Sequence, residues 1–406
     1  MPRDAAALFA PYDPDACRVC GRCLHECPVM ELPEADARRE MEALRAGGDG
    51  EHVLSRCETC LACNLACPNG ANPAALFRQR FDDYIRREGL PAWSPFFQPH
   101  ESPNFRTTAV ALMGKADRAR IEAWKSVEPV EEFFYPGCNL TSMPSLLSPS
   151  ILGDLPVRGG MEVCCGETLF RMGMSEHLRQ NAARLDRWLA RLGAKRMHLL
   201  CTAGVNMFRH VLPRYGLTAR IEVVPYLPIL LDRVRSGALP IARPLDLTVT
   251  LQESCYGKVM DEDYLAAPRE LLAAAGVRVV EMPHCRERSY CCGIGAGFPP
   301  KSGYNPIRMI LGARRVLSEA RATGARAIAT YCGGCWMTLS AMRPFAPTAL
   351  PVYHVVELLR MAMGEKLDRP VWNLMAANLA GPIVHQFPKL LSRARVHKGP
   401  IPPGPW

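Results

Sequence analysis

The sequence lacks the features that mark membrane-spanning, secreted and dinucleotide-binding chains. Its longest apolar candidate, "VWNLMAANLAGPIV" at residues 371–384, falls short of the roughly 20 residues that a spanning helix needs. The N-terminus carries neither the apolar core of a secretory signal peptide nor a twin-arginine pair. "GIGAG" at residues 293–297 is not a dinucleotide fingerprint, because its third glycine comes too early and no strand leads directly into it. We therefore expect a cytoplasmic protein, peripheral at most on the cytoplasmic face of a membrane.

The sequence also lacks a basic stretch interleaved with aromatic residues. The formal net charge is +9, but this figure counts cysteine as neutral. Thiolates bound to a metal are anions, and they bring a metal-loaded chain closer to neutrality. We therefore interpret the basic balance as charge compensation and expect no nucleic-acid partner.

What the sequence has in excess is cysteine, with 18 among 406 residues. That content is too high for an average cytosolic protein and too dilute for a small secreted disulfide scaffold, so it indicates metal ligation. Two pairs of cysteines are adjacent, in "EVCCGETLF" at residues 162–170 and in "SYCCGIGAGF" at residues 289–298. A disulfide between neighbours would twist the peptide bond that joins them. Adjacent thiols are better explained as bridges between neighbouring metal atoms.

Two runs near the N-terminus have the spacing that holds cubane [4Fe–4S] clusters, C-x2-C-x2-C-x3-C-P. They are "CRVCGRCLHECP" and "CETCLACNLACP". In two-cluster ferredoxins the fourth cysteine of each run ligates the other cluster. One predicted ligand set is therefore Cys17, Cys20, Cys23 and Cys67, and the other is Cys57, Cys60, Cys63 and Cys27. The alternative is zinc, but zinc ribbons use paired C-x2-C knuckles rather than four-cysteine runs ending in proline.

The chain divides into five parts by its sequence texture. Helical periodicity around both cysteine runs predicts an all-α domain over residues 1–88. The next segment, residues 89–130, is rich in proline and aromatic residues, and we predict that it is a linker that packs against its neighbours. Strands then alternate with helices over residues 131–240 (the first module) and again over 241–364 (the second module), before a tail over 365–406. This alternation predicts repeated α/β, Rossmann-like modules with parallel sheets. The expected fold class is multidomain, an all-α domain followed by two such modules.

The second module has five cysteines at predicted strand ends and in glycine-rich loops, where ligands of parallel sheets gather. They are Cys255, Cys291, Cys292, Cys332 and Cys335. Zinc needs only four ligands, so five thiols favour a larger and less symmetric iron–sulfur cluster. The neighbouring glycines leave the backbone room to approach such a core.

The first module has a shorter version of the same set, and Gly204 stands where the fifth cysteine would be. Its four cysteines are Cys138, Cys164, Cys165 and Cys201. Four thiolates fit zinc or some iron–sulfur species, and a vestigial, metal-free pocket fits them equally.

These motifs resemble those of a known family. The spacing C-x35-CC-x39-C-x2-C of the second module resembles the cysteine-rich "CCG" domain in the B-type and D-type subunits of heterodisulfide reductase. Residues 1–88 resemble the α-helical ferredoxin domain of the C-type subunit, so the chain as a whole is most similar to the D-type subunit. The resemblance implies a noncubane [4Fe–4S] cluster on the five cysteines of the second module, where a disulfide substrate is cleaved. Related copies occur in the iron–sulfur subunits of glycolate, lactate and glycerol-3-phosphate oxidising complexes.

Two functions follow from this resemblance. In the first, the chain is an enzyme subunit that relays electrons through two cubanes to the noncubane cluster and reduces, or forms, a disulfide. In the second, it is a non-catalytic electron-transfer subunit of a larger flavin- or quinone-linked complex. A purely structural role, in which the modules are a metal-stabilised scaffold, explains the first module better than the second.

Partners are expected because the chain has no flavin or nicotinamide fingerprint of its own. They are other redox subunits, of the flavoprotein, hydrogenase or membrane-cytochrome type, and a disulfide or thiol substrate. Association with a membrane would then run through a partner.

Several other residues lie close to the predicted ligands. His284 and His354 are candidate proton donors, with a structural role as the alternative. Three cations would bind an anionic substrate or offset the charge of a cluster: Lys258, Arg286 and Arg288. Cys285 fits neither cysteine pattern and is expected to be a structural thiol. The basic end of the tail, residues 387–406, is either a docking segment or a disordered terminus.

Overall fold

The structure, a computed structural model, describes residues 5–345, 350–367, 381, 384–389 and 391–405. Most of the apolar segment 371–384 lies outside these residues. Within the described part of the chain, no helix combines the length and the apolar character needed to cross a membrane.

The N-terminal part of the chain is helical, as its periodicity predicts. Its helices are α1 (Ala5–Leu8), α2 (Arg22–His25), α3 (Glu34–Arg45), α4 (Val53–Arg56), α5 (Ala62–Ala66) and α6 (Pro73–Glu88). Helix α2 packs against α3 and α5, which brings the two cysteine runs side by side. The buried carboxylate of Glu40 accepts hydrogen bonds from the N–H groups of Glu51, His52 and Val53 at 2.7–2.9 Å. These bonds hold residues 51–53, which precede the second cysteine run, against α3.

Residues 89–130 are more ordered than the predicted linker. They contain β1 (Leu90–Pro91), α7 (Phe105–Ala111) and α8 (Lys115–Ala123). Asn104 caps α7, because its side-chain oxygen accepts the N–H of Arg106 at 2.9 Å. Phe97 stacks on Tyr304 of the second module, with ring centroids 4.7 Å apart. The aromatic residues of this segment therefore bury themselves against the modules, as the sequence predicts.

The first module contains a three-stranded parallel sheet in the order β2-β3-β4. Its elements are β2 (Glu132–Phe134), α9 (Gly137–Thr141), α10 (Pro149–Leu152), α11 (Glu167–Arg171), α12 (Ser175–Leu192), β3 (Arg196–Leu199), α13 (Thr202–Asn206), β4 (Glu222–Pro225) and α14 (Tyr226–Arg235). Cys138 lies in the first turn of α9, just after β2, and Cys201 lies between β3 and α13. Both cysteines are thus at the carboxyl edge of the sheet.

The second module contains a four-stranded parallel sheet in the order β6-β5-β7-β8. Its elements are β5 (Leu247–Gln252), α15 (Glu262–Ala274), β6 (Val277–Val279), α16 (Pro306–Ala322), β7 (Ala327–Thr330), α17 (Gly333–Met342), β8 (Val352–His354) and α18 (Val355–Ala362). The stretch "PRELLAAAG" at residues 268–276 predicts a helix that starts at its proline. Helix α15 instead begins six residues before Pro268. The N-cap is Asp261, whose carboxylate accepts the N–H of Tyr264 at 2.7 Å, and the proline sits inside the helix.

The end of the chain is packed rather than disordered. Strand β9 (Arg395–Val396) pairs antiparallel with β1, and Ile401 is buried. The expectation of a disordered terminus is therefore wrong for residues 391–405.

Candidate metal centres and the cavity between them

The first predicted cubane set comes together at an edge of the helical part. Cys17, Cys20, Cys23 and Cys67 line one small cavity. Cys20 is exposed, whereas Cys23 is buried. Burial, together with the nearby thiols of Cys67 and Cys17, raises the pKa of Cys23 to about 12. The fourth cysteine of the second run thus lies beside the first three of the first run.

The second predicted cubane set is buried. It consists of Cys57, Cys60, Cys63 and Cys27. Burial and the thiol of Cys60 raise the pKa of Cys27 to about 11. Burial and the neighbouring thiols likewise raise the pKa of Cys63 well above its ordinary value. A partly exposed set and a buried set are therefore adjacent, an arrangement suited to electron entry at the first and onward transfer from the second.

Both cysteine runs bend the backbone at the same two positions. Val19 and Gly21 in the first run, and Thr59 and Leu61 in the second, have φ between 47° and 75°. Three of these residues carry a side chain, for which the left-handed region is unfavourable. This strain recurs at matched positions of the two runs, so the two loops have the same backbone bend. Gly21 is the one residue of the four whose type favours a positive φ, so it alone indicates the bend in the sequence.

The second module gathers its five cysteines at one place. Four are buried, and Cys332 is half-buried. Their thiols interact in series: Cys255 with Cys291, Cys291 with Cys292, Cys292 with Cys335, and Cys335 with Cys332. Residues from the ends of β5 and β7 and from the loop before α16 thus meet.

The hydrogen bonds within this group favour thiolates at two of its sulfurs. Bonds from Cys255 and Cys292 hold the pKa of Cys291 well below its ordinary value. A bond from Cys335 lowers the pKa of Cys332 to about 7. Cys332 also precedes the first turn of α17, where a helix N-terminus favours negative charge. The thiolate is the form that ligates a metal.

The first module brings its four cysteines close to those of the second. Cys138 and Cys164 have their sulfurs 3.5 Å apart, and Cys165 adjoins them. Burial and the nearby Cys332 raise the pKa of Cys201. Cys201 therefore lies on the side of the first group that faces the second module.

A cavity lies between the two modules and the segment 89–130. Thiols line it from both sides, Cys201 from the first module and Cys255, Cys292, Cys332 and Cys335 from the second. Its wall is largely apolar and includes Phe97, Phe105 and Phe298. The charged residues on the wall are Arg106, Glu167 and Arg171.

The cysteine groups fit iron–sulfur cores by the chemistry of their donors. All the donors are thiols, and backbone N–H groups point at some of the sulfurs, Thr59 N–H at Cys57 and Ala71 N–H at Cys67, each at 3.4 Å. Neighbouring buried cysteines stay protonated, because their thiolates would repel one another. A metal cation can replace the protons, and a multi-iron core supplies such cations. Among the described residues, no three or more His, Cys, Asp or Glu side chains converge closely enough to hold a single metal ion, so the fit to an iron–sulfur core is one of donor chemistry and not of coordination geometry.

Most of the other candidates from the sequence lie off the cavity. Lys258, Arg286 and Arg288 are not among its lining residues, so the expected cations are replaced there by Arg106 and Arg171. His284 pairs with Glu319, and His354 is fully buried at the start of α18. Cys285 is half-buried.

Sequence reasoning misses three charged residues near the sulfurs, each at most 9% exposed: Glu58, Arg106 and Arg171. It names Lys258 but does not predict that this residue is fully buried near Cys60, Cys255 and Cys291. Glu58 sits between two ligand cysteines, and a charge within a ligand run is the one signal available for it in the sequence.

Two family models match parts of the chain. Residues 10–68 match a "4Fe-4S dicluster domain", and residues 249–340 match a "Cysteine-rich domain". The first match spans both N-terminal cysteine runs. The second spans all five cysteines of the second module, and it does not extend to the first.

Relatives with curated names match over most of the chain. The D-type subunit of dihydromethanophenazine:CoB--CoM heterodisulfide reductase from Methanosarcina barkeri is 23% identical over 86% of this chain and 94% of its own length. EtfAB:quinone oxidoreductase of Syntrophomonas wolfei is 24% identical over 70% of this chain and 42% of its own length. A probable membrane-anchored ferredoxin of Chromohalobacter salexigens is 24% identical over 89% of this chain and 50% of its own length.

Proposed function

We propose, from the premise that this chain is an iron–sulfur protein similar to the D-type subunit of heterodisulfide reductase, that it carries electrons from a redox partner to a disulfide bound between its two modules. The observation that carries this proposal is the thiol-lined cavity between the two modules. Cysteines of both modules line it, and the helical dicluster part lies against the same loops. The electron supply would therefore adjoin the space for the substrate.

Three groups of residues would hold the iron–sulfur centres. Two cubanes would be held by Cys17, Cys20, Cys23 and Cys67 and by Cys57, Cys60, Cys63 and Cys27; a noncubane [4Fe–4S] cluster would be held by Cys255, Cys291, Cys292, Cys332 and Cys335. When bound, such centres supply electrons one at a time at a place where iron can also bind a substrate sulfur. For Cys138, Cys164, Cys165 and Cys201, iron–sulfur and zinc are both compatible with the donors.

The chain's own residues would bind and orient the substrate. Phe97, Phe105 and Phe298 form an apolar wall that excludes water from a sulfur–sulfur bond. Arg106 is 9% exposed, and its Nε donates to Asn139 Oδ1 at 3.3 Å, which fixes a positive charge beside the cavity. Glu167 lies on the wall and pairs with Arg171 at 3.1 Å.

The proposed reaction balances with two electrons and two protons. The partner supplies the electrons, water supplies the protons, the S–S bond breaks, and two thiols form. About 30 mV of potential difference is worth ~1.4 kcal/mol for this two-electron couple, so modest changes around the centres would reverse the direction. The same chain would then form a disulfide.

The partner would be another redox subunit. One relative is named as a subunit of a reductase, and another is named as an oxidoreductase for EtfAB and a quinone, which supports assembly with other redox proteins. A partner would also account for association with the cytoplasmic face of a membrane.

A second candidate function is electron relay without chemistry on this chain. The match to EtfAB:quinone oxidoreductase over 307 residues supports it, because that relative's name includes no disulfide. In a relay, the two modules would pass electrons to another carrier, and the cavity would hold no disulfide.

The test is EPR spectroscopy of the oxidised, anaerobically purified protein during titration with candidate thiols. Catalysis predicts a thiol-dependent paramagnetic signal that Cys292→Ser abolishes. Cys285→Ser is the matched control, because it removes a thiol outside every proposed ligand group. No thiol response in iron-loaded protein would favour the relay, and stoichiometric zinc without iron would overturn both functions.

A further inference from the structure

A buried arginine of the first module joins a cubane loop to the cysteine group of the second module. Arg171, the last residue of α11, is 4% exposed. Its Nε donates to Thr59 Oγ1 at 2.8 Å, and its Nη2 donates to the Glu58 carbonyl at 2.6 Å. The same Nη2 lies 4.0 Å from Cys291 Sγ. One guanidinium thus contacts two loops that belong to different ligand groups.

The side chain is held rigidly in this place. Its Nη1 pairs with Glu167 Oε1 at 3.1 Å, and its guanidinium lies 4.2 Å from the centroid of the Phe298 ring. Each guanidinium nitrogen therefore has a partner, and an aromatic face covers the plane. A cation that only balanced charge would not need so many contacts to hold its side chain in one position.

The loops around Arg171 approach each other as closely as backbone allows. A Cβ on Gly295 would lie 2.5 Å from the Glu58 carbonyl oxygen, 2.8 Å from Cys291 Sγ and 2.9 Å from Arg171 Nη2. Gly295 also donates its N–H to Cys291 Sγ at 3.3 Å. Any side chain at this position would separate the loop 57–60 from the loop 291–295.

The surrounding charges identify this contact as an electrostatic junction. Glu58 is 3% exposed and pairs with Arg315 of α16. Lys258 is fully buried close to Cys60, Cys255 and Cys291. Three cations from three elements therefore surround one carboxylate and the sulfurs of two ligand groups.

We propose that Arg171 is a positioning residue for electron transfer between the buried cubane and the centre of the second module. Its hydrogen bonds fix the distance between the two ligand loops, and its charge stabilises the reduced, more negative state beside Cys291. Each transfer moves one electron and no proton, because the guanidinium stays protonated. The inference rests on the proposed function, and it gives the first module a role that does not depend on a metal of its own.

The test compares three variants by redox titration followed by EPR. Arg171→Met removes the charge and the contacts, and Arg171→Lys keeps the charge. Arg233→Met is the control, because Arg233 ties backbone carbonyls at residues 150 and 151 within the first module, at 2.8 and 2.6 Å. We expect the Met variant to shift the electron distribution at least tenfold towards the cubane, ~59 mV for a one-electron couple. The Lys variant should shift it less, and the control should not shift it.

A second readout needs no iron. In metal-free protein, hydrogen exchange across residues 57–60 should quicken in both Arg171 variants and not in the control. Quicker exchange with an unchanged electron distribution in iron-loaded Arg171→Met would mean a structural role only and would overturn the proposal.

Two further outcomes are distinguishable. If Arg171→Met does not load with iron, Arg171→Gln is titrated in its place, since it keeps a donor and removes the charge; an unchanged distribution there overturns the proposal. Wild-type protein without a centre beyond the two cubanes overturns the proposed function itself, before any variant is compared.

Discussion

At the scale of single residues, Gly204 is the reason why the cysteine group of the first module has four members and that of the second has five. Cys201 precedes α13 as Cys332 precedes α17, and Gly204 occupies the position in α13 that Cys335 has in α17. A Cβ at Gly204 would lie 4.0 Å from Cys201 Sγ and 2.9 Å from a methyl group of Leu199. Since the end of a leucine side chain moves easily, a cysteine is accommodated beside Cys201.

We therefore expect Gly204→Cys to restore a five-thiol set in the first module. The variant should bind more iron per chain than wild type, by about four atoms if the wild-type set holds no iron, as a [4Fe–4S] cluster requires. Iron analysis with EPR measures this, and Gly204→Ser is the control because it adds similar bulk without a thiol. Equal iron in Gly204→Cys and wild type would show that ligand number is not what limits this module.

Residues also mark the limit of what motifs predict. The spacing of the cysteines nominates every ligand in the three proposed centres, and these assignments stay predictions. Arg171 has no such spacing: its partner Thr59 is 112 residues away in the sequence. Only packing brings them together.

At the scale of elements, helix α18 begins with a titratable cap. His354 is fully buried, and its Nδ1 accepts the N–H of Val356 at 3.2 Å. The backbone N–H of His354 donates in turn to Glu357 Oε2 at 2.7 Å. Burial lowers the pKa of His354 to about 4, so the folded protein keeps it neutral.

This cap predicts a loss of stability in acid. Below its ordinary pKa of 6.5, His354 takes up a proton in the unfolded chain, but in the folded chain it does so only near pH 4. The free energy of unfolding should therefore fall as the pH drops from 6.5 to 4, by up to about 3 kcal/mol. Urea denaturation of metal-free protein across this range measures the slope.

His354→Asn is the matched comparison, because its side-chain oxygen can still cap α18 while the titration is gone. The difference in unfolding free energy between wild type and variant should narrow from pH 7 to pH 4. A difference independent of pH would contradict the prediction.

Elements were predicted well where the sequence carries local signals. The strands of both sheets and the long helices follow from hydrophobic periodicity, with ends displaced by a few residues. Helix α15 is the instructive miss, because Pro268 looks like a helix start but lies inside the helix. Tertiary contacts offset the lost hydrogen bond, and a local rule cannot see them.

At the scale of the whole molecule, the C-terminal segment 391–405 ties distant parts together. Arg395 Nη2 donates to the Gly89 carbonyl at 2.9 Å and to the Pro300 carbonyl at 3.2 Å. The N–H of Ile401 donates to Gln180 of α12 at 2.9 Å. The segment therefore contacts the start of the 89–130 segment and both modules.

Deleting residues 391–406 should loosen the modules. We expect a lower melting temperature, by roughly 2–4 °C for each kcal/mol lost, and faster proteolysis between residues 89 and 130. Circular dichroism and limited proteolysis measure the two effects. Arg393→Ala is the control, an exposed change in the same segment. A truncated protein as stable and as protease-resistant as wild type would contradict the prediction.

The sequence by itself determined the kind of chemistry and the order of the elements. Four cysteines within eleven residues, or two side by side, restrict ligands through covalent spacing alone, and alternating apolar patterns act over a single turn or strand. Both are local, so they can be read without a fold.

Only the tertiary structure decided which loops meet. It set the cavity between the modules, the junction of Glu58, Arg171 and Cys291, and the path of the C-terminal segment. These contacts join residues from separate parts of the chain and depend on how whole helices and sheets pack. A pattern confined to one stretch of sequence holds no information about its partner across the fold.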